Sequence, residues 1–234
     1  MRSLFTAFLV LLASSSLAGG AVTGKITFTA VPPEPVALKS KGDPACKNAR
    51  DETVLLGKDG KTLQNVLVQV VDAPAGPSNA TASAPVTIEA RGCLYQPRVS
   101  GAVVGQQVLV RNSDATLHTV MAHNDRKDGQ PRELDKRFSF LHRPVMESGE
   151  VRVIPPAAAE VVRIDCGVFQ WMRAYVLVSP SPYFAVTGTD GSFRIDGVPP
   201  GTWKIEAWHE KFGLKRGQVQ VEDGKPATVS FSFP

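Results

Sequence analysis

The 234-residue sequence predicts an all-β protein built of two successive sandwiches, on three observations. Asp-Gly occurs five times, at 59–60, 128–129, 190–191, 196–197 and 223–224. Both residues tolerate the positive φ that a tight turn demands. Between these pairs lie short runs of alternating apolar and polar residues, the period of a half-buried strand. No stretch sustains a helical period; within 131–141, PRELDKRFSFL, at most one helical turn precedes alternation.

The N-terminus reads as a processing segment. Arg2 supplies a positive start, and LFTAFLVLLASSSLAGG follows as an apolar run ending in small residues. That is the pattern of a secretory signal peptide over 1–20, cleaved between Ala18 and Ala21. The apolar run is short for a membrane span, no later stretch is long enough to cross, and no cysteine follows for a lipid anchor. The mature protein is expected to be periplasmic or secreted, where disulfides persist. A net charge of +4, with its basic residues scattered rather than striped among aromatics, argues against a nucleic-acid partner.

In the body of the chain, QQVLVRN places Val108 and Val110 on one face, and GEVRVIP does the same with Val151 and Val153. AEVVRIDC and RAYVLVS are more continuously apolar, as interior strands are. DAPAGPSNATASAP, 72–85, is a Pro- and Ala-rich surface loop, and 138–146 is read as a second loop. Prolines in VSPSPYF, 178–184, break the pattern and divide a domain at 21–180 from one at 181–234. In the second, Phe193 and Ile195 alternate after a hairpin at Asp190-Gly191, and Gly197 with PPG turns the chain again. Trp203, Ile205 and Ala207 then alternate with Lys204, Glu206 and Trp208. A sandwich of about 50 residues is small for an independent fold, so it is expected to pack on the first.

The cysteines number three, Cys46, Cys93 and Cys166. Two are expected to pair in an oxidising compartment. Cys46, in the loop KGDPACKN, is paired with Cys93, in EARGCLYQP, a closure that contributes about 3–4 kcal/mol in the chain-entropy model. Cys166 is left as a free thiol, either buried and inert or kept for metal.

Three stretches resemble one family. GCLYQPRV (92–99), GQQVLVRNSDATLHTV (105–120) and RIDCGVFQWMRAYVLV (163–178) are similar to the bacterial periplasmic cupredoxin-like proteins, also described as plastocyanin-like or methylamine-utilisation-like. Gly105, Val108, Asn112, Asp114 and His118 match the pattern G-x-x-V-x-x-x-N-x-D-x-x-x-H, whose His is a copper ligand in that family. Cys166, Trp171 and Met172 match Cys-x-x-His-x-Trp-Met, except that Phe169 stands where the family has its second His. The positions of Cys46 and Cys93 also resemble the family's, which supports their pairing. Residues after 181, including AWHE at 207–210, resemble the carboxypeptidase regulatory-like, carbohydrate-binding-like sandwich. The resemblance implies a Greek-key cupredoxin-like sandwich followed by a small antiparallel sandwich.

What the resemblance implies about chemistry turns on Phe169. A type 1 copper site combines two imidazoles, a thiolate and a weak thioether, so that either oxidation state stays bound. Here His118, Cys166 and Met172 remain, and the residues leave four arrangements open. The site is abandoned; His123 or His142 replaces the missing ligand; Cu(I) is held by His118, Cys166 and Met172; or Gln170 lends an oxygen. The functions that follow are copper binding or electron transfer with a periplasmic redox partner, or a metal-free module that binds a glycan or protein partner. For the second, Trp203 and Trp208 face opposite sides of a strand, so one is core and the other exposed. No nucleophile elbow, zinc-protease or Cys-x-x-Cys motif supports an enzyme. Asp165 points to the face opposite Cys166 and makes no catalytic pair with it.

Overall fold

The alternating runs do form strands, and which strands pair is what redraws the domains. The computed structural model describes residues 19–34, 36–38, 42–47, 49–74, 84–125, 139–145, 149–153 and 160–234. The signal segment through residue 18, the middle of the 72–85 loop, Asp128-Gly129 and the helical turn expected ahead of residue 139 lie outside the described residues. In chain order the strands are β1 (Gly20–Phe28), β2 (Leu67–Val71), β3 (Val86–Arg91), β4 (Leu94–Gln96), β5 (Val99–Val103), β6 (Val108–Asn112), β7 (His118–Asp125), β8 (Ser139–Val145) and β9 (Glu150–Val153). There follow β10 (Glu160–Asp165), β11 (Arg173–Ser179), β12 (Phe184–Val186), β13 (Ser192–Val198), β14 (Gly201–His209), β15 (Gly213–Val221), β16 (Pro226–Thr228) and β17 (Phe231–Phe233).

The first sandwich packs the sheet β4-β3-β6-β9 against β5-β11-β10-β7-β8. The chain crosses repeatedly between the two sheets, so that beside the adjacent pairs β3–β4, β7–β8 and β10–β11 the neighbours in each sheet are distant in sequence, as in Greek-key connectivity. Val108, Val110, Val151 and Val153 all face the core between the sheets, as their alternation predicts. The continuously apolar β10 and β11 lie in the interior of their sheet and are covered on both faces. Even-numbered Val162, Ile164, Ala174, Val176 and Val178 enter this core, and odd-numbered Val161, Tyr175 and Leu177 enter another on the far side. The 138–146 segment, expected to be a loop, is the edge strand β8, whose backbone sets His142 opposite Met121.

The second sandwich departs from the 181–234 boundary. β1 pairs with β13, β16 and β17, while β2 is inserted between β12 and β14. Val22, Ile26, Leu63, Val66 and Val68 therefore share a core with Ile195, Ile205 and Phe233. The physical reason is size. A chain of about 50 residues buries too little apolar surface to hold a sandwich closed, and two N-terminal strands supply the missing faces. The first sandwich is thus an excursion between β2 and β12. The Asp-Gly pairs keep their local geometry, with positive φ at Gly60, Gly191, Gly197 and Gly224. Their larger roles differ from expectation. Asp190-Gly191 joins strands of two different sheets rather than a hairpin, and Asp196-Gly197 lies inside β13, where the register against β1 shifts as in a bulge.

The two sandwiches meet through a third apolar cluster, Leu67, Val99, Val161, Tyr175, Leu177 and Trp208. Trp208 packs edge-on against Tyr175 with centroids 5.1 Å apart. Trp203 lies on the opposite face of β14, against the second core, and donates its indole N–H to Pro199 O at 2.8 Å. The two tryptophans do face opposite ways, and Trp208 is the core one, because the first sandwich covers its face, while Trp203 is half-buried.

His209 ends β14 with no exposed surface and stacks on Phe212, centroids 4.8 Å apart. Its Nδ1 accepts from Lys211 N–H at 3.1 Å, which places the ring proton on Nε2. Burial first, then the charges of Arg98 and Lys211, hold its pKa down to about 3. Above the ordinary histidine pKa the ring is neutral folded or unfolded, and stability does not respond. Below it only the unfolded chain takes up the proton. Stability is therefore expected to fall as pH drops from about 6.5 towards 3, by about 1.4 kcal/mol per unit from this residue. Urea unfolding at a series of pH values tests this; His209→Phe should flatten the slope, and an unchanged slope would assign it elsewhere.

Candidate metal centre

Two strand parities bring the centre together. On β7, His118, Val120 and Ala122 point inward; on β10, Val162 and Ile164 do so, and Cys166 follows in step. β7 and β10 are antiparallel neighbours with Asp165 opposite Met121, so His118 and Cys166 finish at the same end of the sheet. His118 Nδ1 lies 3.9 Å from Cys166 Sγ. The residues are 0% and 1% exposed respectively, a pair closed from water although 48 residues separate them.

His118 is gripped from its other nitrogen. Nε2 lies 2.9 Å from Asp114 Oδ2. The Asp114 carboxylate also accepts the backbone N–H groups of Gly92, at 2.6 Å, and Cys93, at 2.9 Å. Gly92 and Cys93 form the β3–β4 turn, both with positive φ, which aims two adjacent N–H groups at one carboxylate. A carboxylate on the far ring nitrogen fixes orientation and leaves Nδ1 for the sulfur side, as at many metal-bound histidines. Cys93 in turn bonds Cys46 across a sequence separation of 47 residues, the expected disulfide. Its carbonyl accepts the indole N–H of Trp171 at 2.9 Å, tying the turn to the Cys166 loop.

That loop is tightly closed. Cys166 N–H donates to Met172 O at 3.1 Å, and Met172 N–H donates to Phe169 O at 3.0 Å. Gly167 N–H donates to Thr119 Oγ1 at 2.7 Å, and Thr119 N–H reaches Cys166 Sγ at 3.4 Å. Met172 is fully buried in the same core cluster as Cys166 and Phe169. The Phe169 ring meets His118 edge-on, centroids 5.4 Å apart, and Trp171 at 5.3 Å. Gln170 is exposed on the turn.

Burial pushes the Cys166 thiol up. His118 and the backbone N–H groups of Thr119, Phe169 and Val168 outweigh it and bring the pKa to about 7. Burial opposes the charge on His118 as well, but contact with Cys166 and Asp114 holds its pKa above the ordinary value. In the metal-free pair each group favours the charged form of the other, thiolate on Cys166 and imidazolium on His118. In an ultraviolet titration the thiolate band should rise through about pH 7 rather than near 9, and His118→Ala should move the midpoint upward. An unmoved midpoint would remove the imidazole from the account.

His123 is no substitute ligand. It lies on the outward parity of β7, is buried, and has Nε2 3.8 Å from Asp165 Oδ2 on the opposite face from Cys166. Asp165 itself binds Arg163 at 2.8 Å and Arg173 at 2.7 Å, turned away from Cys166 as its parity requires. The clamp of Gly92 and Cys93 on Asp114, and the Thr119 hydroxyl on Gly167, were not read from the sequence. The Gly-Cys turn between apolar runs was the one local signal of the first.

No curated protein matches the chain significantly in sequence. Among solved structures, the copper-containing nitrite reductase of Thermus scotoductus SA-01 aligns at 18% identity and TM-score 0.33, over 47% of this chain and 25% of that one. A purple cupredoxin of Nitrosopumilus maritimus aligns at 19% identity and TM-score 0.31, over 40% of this chain and 99% of its own. Dithionite-reduced auracyanin of Roseiflexus castenholzii aligns at 14% and 0.32, over 42% and 98%. This chain therefore spans a quarter of the nitrite reductase's length, and likeness at these scores fixes no ligand. Residues 172–234, which include β11 of the first sandwich and β12 to β17 but neither β1 nor β2, match the carboxypeptidase regulatory-like domain family.

Proposed function

We propose that this is an exported cupredoxin-like protein whose degenerate type 1 site binds copper as Cu(I). The observation that carries the reading is the buried approach of His118 Nδ1 to Cys166 Sγ at 3.9 Å. Typical metal–nitrogen and metal–sulfur bonds of about 2.0 and 2.3 Å sum to more than that gap, so one ion can touch both atoms. A bound copper ion would supply a redox-active centre. The residues supply a soft thiolate, an imidazole oriented through Asp114, and a dry surround that includes Phe169, with Met172 at the base of the loop as the thioether. Soft sulfur with a single imidazole favours the cuprous ion.

A second reading is a metal-free envelope module that binds a protein or glycan. The observation in its favour is that Phe169 packs on His118 where another imidazole is expected, while Cys166 already accepts hydrogen bonds. Anaerobic Cu(I) titration against a chromophoric chelator separates the two. One Cu(I) per chain, lost in Cys166→Ser and in His118→Ala, is the expected result. No stoichiometric Cu(I) in the wild-type chain leaves the metal-free reading.

A further inference from the structure

His118 has donor atoms on both sides of its ring. Apart from Cys166, the sulfur of Cys93, a carboxylate oxygen of Asp114 and a ring nitrogen of His118 lie within 4.8 Å of one another. Asp114 Oδ2 is 2.9 Å from Nε2, the nitrogen that Cys166 does not face. Thiolate, carboxylate and imidazole are the ligand types of a zinc-like divalent ion, with a fourth position left to water. Asp114 is already oriented by the Gly92 and Cys93 N–H groups, and its own N–H donates to Asn112 Oδ1 at 3.0 Å. One element is withheld, because the Cys93 sulfur is bonded to Cys46 and only a thiolate ligates well.

We propose that the Cys46–Cys93 disulfide is a redox gate over a second metal site, in which reduced Cys93, Asp114 and His118 Nε2 hold a zinc-type divalent ion. A dithiol reductant opens the gate. It gives up two electrons and two protons, the Cys46–Cys93 bond breaks, both sulfurs become thiols, and the reductant leaves as its own disulfide. Metal binding then releases the Cys93 thiol proton and the proton between His118 Nε2 and Asp114 to solvent. The Nδ1 side keeps its proton towards Cys166. This site needs no ligand from Cys166, so it stands or falls apart from the Cu(I) reading.

Cobalt(II) is the probe, because its thiolate band reports sulfur ligation directly. All proteins carry Cys166→Ser, so any such band comes from the gate. The oxidised chain should show none. Chemical reduction, or Cys46→Ser, which frees Cys93 without reductant, should produce about one bound cobalt per chain with a sulfur-to-metal band. Adding Cys93→Ser should abolish the band, and Asp114→Ala should weaken binding at least tenfold. A folded Cys46→Ser protein, checked by circular dichroism, with no band would overturn the proposal. So would a band that survives Cys93→Ser, or loss of the fold both on reduction and in Cys46→Ser, since the native protein could then never form the site.

Discussion

Replacing Phe169 by histidine is expected to turn a chain without a blue-copper spectrum into one with an intense visible thiolate-to-copper band. The Phe169 ring already meets His118 edge-on at a centroid distance of 5.4 Å and is held by the Cys166–Met172 loop bonds. A second imidazole there would join His118 and Cys166 on one ion, giving the pair of nitrogens that holds Cu(II) as well as Cu(I). The substitution exchanges a buried apolar ring for a smaller polar one, at a cost of about 2 kcal/mol. Copper should restore that by mass action, so the variant's melting temperature should rise on metal addition. Visible absorption during Cu(II) titration of Phe169→His against the wild-type chain is the measurement. A folded variant that binds no Cu(II) would show that the His118–Cys166 frame is no longer a copper frame.

Glu210→Ala is expected to lower stability by about 3–5 kcal/mol, among the largest effects of any single change outside the cores. Arg98, at the entry to β5, and Glu210, just past β14, join the two sandwiches through paired contacts. Arg98 Nε donates to Oε1, and Nη2 donates to Oε2 at 2.8 Å. The side chains are only 6% and 5% exposed. Removing the carboxylate leaves a buried guanidinium that remains charged at every accessible pH, with a weaker contact to Thr53 at 3.4 Å and the more distant charge of Glu52. A drop of about 10 °C in melting temperature is the corresponding scale for a chain of this length. Arg98→Met combined with Glu210→Leu should recover most of the loss, because two matched apolar groups leave no buried charge. A single-variant loss below about 1 kcal/mol would mean water reaches the pair.

Much of the local structure was legible from the residues. Period-two alternation assigned Val108 with Val110 and Val151 with Val153 to the core, and set Trp203 and Trp208 on opposite faces. Asp-Gly pairs marked positions of positive φ at Gly60, Gly191 and Gly224. Continuous apolar runs identified β10 and β11 as interior strands. The early cysteines were paired correctly. Apart from the cysteine pairing, which joins residues 47 apart and leaned on the family resemblance, each of these depends on a residue's own conformational preference or on its neighbours one or two places along the chain.

Strand partnership was a different matter. Nothing in GAVTGKITF indicates that β1 lies between strands from the far end of the chain, because backbone hydrogen bonds are the same for every sequence. Which edges meet depends on the summed burial of whole faces. For the same reason the residues alone did not say which of Trp203 and Trp208 is core until the first sandwich covered Trp208, and His142 looked like a loop residue until β8 found β7. At the centre, the sequence by itself determined that His118, Cys166 and Met172 were present and that Phe169 was not a ligand. Only the tertiary structure decided that His118 and Cys166 meet at 3.9 Å, because that distance is set by the β7–β10 register, a contact between residues 48 apart in the chain.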